Sequence, residues 1–385
     1  MAALDVAGYE GPRTPTPEEW ESVLEMSRSI FFPSAASFRE AAATWPMSLH
    51  PDFRANTFVL FHRGEPVSMV GRVERDIIVL GHRLRLGYIG GVATRPEHRG
   101  KGLASLALAA SLHTFHQHGV DFVYISGIRP MYYGAGADHV GGFQQATIAP
   151  GSLPGPRDAR LRLATREEIP LLCRLNERDA VRFVRPAGDY EQILTYGYCA
   201  GRRSEFHLVA VQGVPVGYLF VSHMAREGRK WLHVREVRGE RQAALHAMGE
   251  MADASGMEVA VDLPRGDVLG DILAARGLEV RPGRTPGTVK ALDFSRTMGA
   301  LKPYFASHLD AGFVESLAFT EGCGRYLASS RDGALTIDGE RSMLRTLLGE
   351  PEGEAVEGVT ATGEMAGLLD QCLPIPWPMV YMNMI

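Results

Sequence analysis

The chain has 385 residues, 45% hydrophobic and 22% charged, with a formal net charge of -5 at pH 7; at about 150 residues per domain this allows two or three domains with real cores and gives no general affinity for nucleic acid. Cys173, Cys199, Cys323 and Cys372 lie far apart with no Cys-x-x-Cys pair, which argues against a disulfide framework and against a zinc or other metal site. The start lacks a basic region followed by a long apolar run, and no stretch approaches the ~20 apolar residues that span a bilayer, so a cytoplasmic protein without a membrane segment is expected.

The first segment, residues 1–150, opens at Thr16-Pro17-Glu18-Glu19, which reads as a helix start with proline and acids in the first turn. Strands are predicted over Thr57–Phe61, Pro66–Val79 and His82–Thr94, then a helix from Leu103 to His118 closed by Gly119, then a buried strand from Asp121 to Ser126. The third of these strands leads into Val92-Ala93-Thr94-Arg95-Pro96-Glu97-His98-Arg99-Gly100-Lys101-Gly102-Leu103-Ala104-Ser105. Pro96 stops the strand, and from Leu103 the apolar residues Leu108, Leu112 and Phe115 recur at helical spacing. The first N–H groups of a helix have no partner within it, and glycines let an anion come close, so this turn suits a pyrophosphate, with Arg99 and Lys101 adding charge. A Walker loop is excluded by the order Gly100-Lys101-Gly102. A dinucleotide fingerprint fails because Gly134-Ala135-Gly136-Ala137-Asp138-His139 has histidine where the third glycine belongs. Just upstream, Gly90-Gly91 predicts a bulge.

Other candidates follow the loop. Met131-Tyr132-Tyr133-Gly134-Ala135-Gly136 offers two phenols, and Asp138 and His139 are open to a proton relay. His113, His116 and His118 fall in the last helical turn before a capping glycine, where the helix dipole favours histidine, and read as structural. Three prolines and two glycines in residues 150–156 mark a linker.

The second segment, residues 151–295, repeats the plan of the first. Arg160–Ala164 and the capped start Thr165-Arg166-Glu167-Glu168 lead to paired strands over Phe206–Val211 and Val216–Ser222. A strand over His233–Val237, a helix from about Glu240 and a strand over Met257–Leu263 follow. Where the glycine turn should be, Val237-Arg238-Gly239-Glu240-Arg241-Gln242 has one glycine and a glutamate that would repel a phosphate. The arginines between Arg226 and Arg241 read as a solvated face. In the third segment, residues 296–385, strands are predicted over Glu315–Thr320, Gly324–Ser329 and Gly333–Ile337, followed by a helix over Glu340–Leu348.

Arg99-x-x-Gly102-x-Ala104 directly after Val-Ala-Thr resembles the acyl-CoA pyrophosphate loop of the GNAT superfamily of N-acetyltransferases, and the Tyr132 to Gly136 spacing is similar to that superfamily's Tyr-x-x-x-Gly segment. The three segments resemble the enhanced-intracellular-survival acetyltransferases, in which two GNAT domains precede a sterol-carrier-like domain. The resemblance implies an α/β (α+β) fold: a catalytic GNAT domain over 1–150, a degenerate GNAT-like domain over 151–295 and a small sterol-carrier-like domain over 296–385. It further implies acetyl-CoA as co-substrate, a small-molecule or peptide amine as acceptor, no nucleic-acid or membrane partner, and a homo-oligomer.

The chemistry needs a base for an amine that is protonated at neutral pH, donors for an oxyanion and an acid for the departing thiolate. Val92, Ala93 and Thr94 are expected along the pantetheine arm and acetyl carbonyl, and Arg99, Gly100, Lys101, Gly102, Leu103, Ala104 and Ser105 around the pyrophosphate. Tyr132 fits the acid by motif, with Tyr133 its rival. The resemblance puts the terminal carboxylate, here that of Ile385, forward as base, directly or through a water, although the family pattern ends in an aromatic residue. Two other classes share these features: a nonenzymatic acyl-CoA sensor or assembly protein, which keeps the loop without needing Tyr132, and an apolar-ligand carrier centred on 296–385.

Overall fold

Adjacent apolar residues on one strand feed two different cores, and this builds the first lobe. In the computed structural model, which describes residues 8–33, 51–153 and 158–380, strands β1 (Tyr9–Arg13), β2 (Thr57–His62), β3 (Glu65–Val79) and β4 (His82–Thr94) pair antiparallel in that order. Val59 and Leu60 point to opposite faces, as side chains of a strand must. Val59 packs with Trp20, Val23 and Met26 of the helix Trp20–Phe31, and Leu60 with Leu103, Leu108 and Phe115 of the helix Leu103–Gln117. That second helix is the crossover from β4 to β5 (Phe122–Ile125), which joins β4 in parallel and is buried throughout, as a strand covered on both faces requires. The ring of Phe115 rests on Gly87, where a Cβ would come within 2.9 Å.

The chain then crosses between two sheets. β6 (Phe143–Ile148) follows β5 in sequence but lies in the second sheet. That sheet also contains β7 (Ala159–Leu163), while β8 (Val181–Phe183) returns to pair with β3, and β9 (Tyr198–Cys199) pairs with β10 (Arg202–Val211). β11 (Val214–Arg226), β12 (Arg229–Gly239), the helix Arg241–Ser255 and β13 (Val259–Pro264) then repeat the plan of β3, β4, the helix Leu103–Gln117 and β5, down to the parallel pairing of β12 with β13. β6 sits between β13 and β14 (Val280–Gly283), and β15 (Thr288–Ala291) completes the first sheet beside β5. Each lobe thus lends the other a strand.

The expected solvated arginine face divides in two. Arg226 and Arg229 are exposed, whereas Arg235 and Arg238 are buried on β12, where Glu236 and Asp179 meet Arg238. In the third segment the first predicted strand begins late: Asp310 accepts from Phe313 N at 2.9 Å and starts the short helix Ala311–Ser316, so that β16 covers Ala318–Gly322. β17 (Arg325–Ser329), β18 (Ala334–Asp338) and β19 (Val359–Ala361) complete a four-stranded antiparallel sheet covered by the helices Glu340–Leu348 and Met365–Cys372. Fully buried Trp377 meets Phe122 of β5 edge to face with centroids 5.4 Å apart, so the third segment shares a core with the first sheet.

Candidate active site

The glycine pair bulges β4 as its sequence predicts. Gly71 on β3 faces Gly90 and Met69 faces Ala93, so two steps on β3 match three on β4, and Gly91 takes a φ of 59°. Pairing of β4 with β5 ends at Ile89, whose carbonyl accepts from Ser126 N at 2.9 Å. Beyond that point the strands part, and a cavity of about 360 Å³ opens between Gly90, Gly91 and Val92 on one side and Ser126 and Gly127 on the other.

After Thr94 a short 3-10 turn, Pro96–His98, leads to Gly100 and Gly102, whose φ values of 76° and 75° favour glycine. An added Cβ at either would meet no atom within 4 Å. Gly102 is the N-cap of the helix Leu103–Gln117 and brings no side chain to it, and the first turn closes with Leu106 N donating to Gly102 O at 3.0 Å. The N–H groups of Leu103, Ala104 and Ser105 therefore have no acceptor within the helix and carry the positive end of its dipole. A second cavity of about 350 Å³ collects Val92, Ala93, Thr94, Arg99, Gly100, Lys101, Gly102, Leu103, Ala104 and Ser105 along one wall. The two cavities share Val92 and Arg129.

A residue from the start of the chain braces this loop. Lys101 Nζ donates to the Tyr9 hydroxyl at 2.9 Å and lies over its ring, and that hydroxyl meets His98 Nδ1 at 2.8 Å. Burial and the Lys101 ammonium push the His98 imidazole below its ordinary value, which favours a neutral ring that accepts from Tyr9. Arg99 Nε donates to Thr94 O at 3.1 Å. Tyr9→Phe removes the acceptor of Lys101, worth about 1 kcal/mol; the expected result is a rise in acetyl-CoA KM of roughly two- to tenfold with kcat nearly unchanged, read by steady-state kinetics.

The two tyrosines go different ways. They sit on the helix Pro130–Gly134, which starts with proline in its first turn after Arg129. Tyr132 is 3% exposed and lines the first cavity, with its ring against Gly127, whereas Tyr133 is 37% exposed and faces His139. Burial raises the Tyr132 phenol above its usual value against the opposing charge of Arg129, so it stays protonated at neutral pH. Gly136, which closes the motif, has a φ of 83° and lies so close to the Glu340 carboxylate that a Cβ would overlap it.

The other candidates lie elsewhere. Asp138 pairs with Arg341 at 2.6 Å and Arg345 at 3.5 Å, and His139 Nδ1 meets Thr285 O at 3.1 Å, so both are engaged at the boundary with the later segments. His118 pairs with Glu74 at 2.6 Å and His116 lies 3.8 Å from Asp293. Ile385 falls outside the described residues. Tyr9, Arg129 and the cavity residues Phe31 and Ile128 were not marked by any spacing in the sequence: Tyr9 reaches the loop only through pairing of β1 with β2.

The second lobe has the same bulge with different contents. Val221 faces Val234 and Phe220 faces Glu236, so Arg235 is the extra residue, and pairing with β13 ends at Val234. Beyond that point β12 carries a buried ionic cluster. Arg185 donates both terminal nitrogens to Glu236 at 3.0 Å, Tyr218 donates to it at 2.6 Å, and Arg238, 2% exposed, donates to it at 3.1 Å. Burial alone would raise the Glu236 carboxyl, but Arg185 and Arg238 override it and hold it at about 2. The helix N-terminus is closed as well, because Glu240 accepts from Ala243 N at 2.8 Å and Arg241 is tied to Asp179 and Asp267.

Residues 12–138 match the family model described as an acetyltransferase (GNAT) domain. No curated protein matches the chain by sequence. Among solved structures, a GCN5-related N-acetyltransferase from Anabaena variabilis ATCC 29413 is 12% identical with a TM-score of 0.64, covering 96% of this chain and 98% of its own. One from Kribbella flavida is 16% identical with a TM-score of 0.60, covering 96% and 97%. Eis1 from Mycobacterium abscessus is 15% identical with a TM-score of 0.52, covering 74% of each chain. Residues 12–138 thus resemble a GNAT acetyltransferase domain, and the chain has the α/β fold of these structures. No helix among the described residues is long and apolar enough to cross a membrane.

Proposed function

We propose that the first lobe moves the acetyl group of acetyl-CoA directly to a primary amine in a ternary complex. The observation that carries this reading is a pair of neighbouring cavities that share Val92 and Arg129, one at an open, glycine-capped helix N-terminus and the other lined by the protonated Tyr132. The pyrophosphate of acetyl-CoA would accept from the N–H groups of Gly100 to Ser105 beside Arg99 and Lys101. Its pantetheine arm would run between the parted strands along Val92, Ala93 and Thr94, whose backbone donors would serve the thioester oxygen. The amine, freed of one proton by a base, attacks the carbonyl carbon; as the intermediate collapses and the C–S bond breaks, the thiolate takes the proton of Tyr132, and the second proton leaving the nitrogen restores the phenol through solvent. The base assigned by family resemblance is the carboxylate of Ile385, directly or through a water.

The same reading assigns residues 1–150 to the catalytic domain, 151–295 to a degenerate GNAT-like domain and 296–385 to a sterol-carrier-like domain, in a cytoplasmic homo-oligomer. The buried Arg185–Glu236 pair beyond the bulge and the Glu240 cap support the degenerate assignment. The experiment is thiol release from acetyl-CoA by the purified chain over a panel of amines. Tyr132→Phe is expected to lower kcat by about 10²-fold, the lower end of general-acid effects, with acetyl-CoA binding intact. Unchanged turnover in that variant removes Tyr132 as the acid, and absence of turnover with tight acetyl-CoA binding favours the sensor.

A further inference from the structure

The inner cavity is where an acceptor would meet the thioester, and its walls constrain the acceptor's body as well as its reacting nitrogen. Carbon dominates those walls: Phe31, Phe32, Met69, Val92 and Ile128 all contribute. Phe31 is 40% exposed and Ile128 58% exposed, so two large apolar side chains stand in water at the rim of a cavity with room for more than the end of a pantetheine arm. Apolar groups left uncovered around a concave site mark it for an apolar ligand.

The charges point the same way. Among the described residues the ionisable side chains lining this cavity, apart from the Tyr132 phenol, are Arg72 and Arg129, both cations, with no aspartate or glutamate. The charge of Arg129 is near enough to influence the Tyr132 phenol, and so lies within reach of the reacting centre. An acceptor with several ammonium groups would carry its spare charges past Arg72 and Arg129, and like charges repel most strongly where water is scarce. An acceptor with one amine loses its only charge on deprotonation, and its body can then cover Phe31 and Ile128. Ser27, Asn56 and Thr57 line the same cavity and supply neutral polar surface.

We infer that the acceptor is a monoamine on an aromatic or aliphatic body, of the arylalkylamine class, and not a polyamine or an aminoglycoside. The inference rests on the acetyltransferase reading above and deepens it. The test uses the full chain with saturating acetyl-CoA and compares kcat/KM for 2-phenylethylamine, hexylamine, spermidine and an aminoglycoside, with acetyl-CoA affinity measured separately by calorimetry. The monoamines are expected to lead spermidine and the aminoglycoside by about tenfold or more. In Ile128→Asp, a surface change that adds a carboxylate at the rim, the lead is expected to shrink or reverse with acetyl-CoA affinity unchanged. Preference of the native chain for spermidine or the aminoglycoside, or no turnover of either monoamine by a protein that binds acetyl-CoA, overturns the inference and leaves the acyl-CoA reading standing. Failure to bind acetyl-CoA removes that reading, and this inference with it.

Discussion

Replacing Gly102 by aspartate is expected to abolish acetyl-CoA binding, a loss of at least about 10³-fold or 4 kcal/mol, in a protein that still folds. Gly102 caps the helix Leu103–Gln117 at a φ of 75° with open space around it, so the new side chain collides with nothing. Aspartate tolerates the left-handed region better than most residues, at a cost of about 1 kcal/mol. It is also a strong N-cap, worth a similar amount. The two effects offset each other in stability but not in binding, because the carboxylate takes the N–H groups that an incoming phosphate needs and repels it as well. The second lobe already contains this arrangement: Glu240 accepts from Ala243 N at the start of the matching helix. Calorimetric titration with acetyl-CoA alongside a thermal melt reads both halves, and tight binding by the folded variant would falsify the pyrophosphate site.

Glu236→Ala is expected to cost about 3–5 kcal/mol of stability, because it strands two buried guanidiniums, those of Arg185 and Arg238, without their shared carboxylate. Urea denaturation followed by circular dichroism measures it, and a loss below about 1 kcal/mol would mean that water reaches the cluster. The same pair sets a pH dependence. The Glu236 carboxyl sits at about 2 in the folded chain against about 4.3 in an unfolded one. Its contribution is therefore complete above the unfolded value and is lost as pH falls through that window toward 2. The acid limb of the native stability profile is expected to be shallower in Glu236→Ala.

The site was legible where backbone geometry forces a residue type. Gly91 in the bulge and Gly100 and Gly102 at positive φ leave a pattern in the letters, and so does a helix that begins without a capping side chain. Glu240 was legible for the converse reason, since a carboxylate at that position excludes an anion. The choice between Tyr132 and Tyr133 was not, because adjacent residues on a helix point about 100° apart and only the neighbouring elements decide which enters the cleft. Arg238 looked like surface charge because composition carries no information on distant partners such as Asn176 and Asp179. The exchange of β6 and β15 was invisible for a similar reason: short strands such as Phe143–Ile148 and Thr288–Ala291 show their own pleat but not their neighbour.

That exchange also determines when the cleft can exist. β15 pairs with β5, and Thr288 Oγ1 donates to Gly127 O at 3.2 Å, directly behind the inner cavity. During synthesis the first lobe emerges with the edge of β5 bare and must wait for Thr288 before its sheet closes, while β13 must find β6 already made. Domains usually fold in the order in which they leave the ribosome; here neither lobe can finish first, and the non-local pairings slow the search. The second lobe is therefore needed to complete the first sheet, and truncation after the linker is expected to release an edge prone to pairing with other chains.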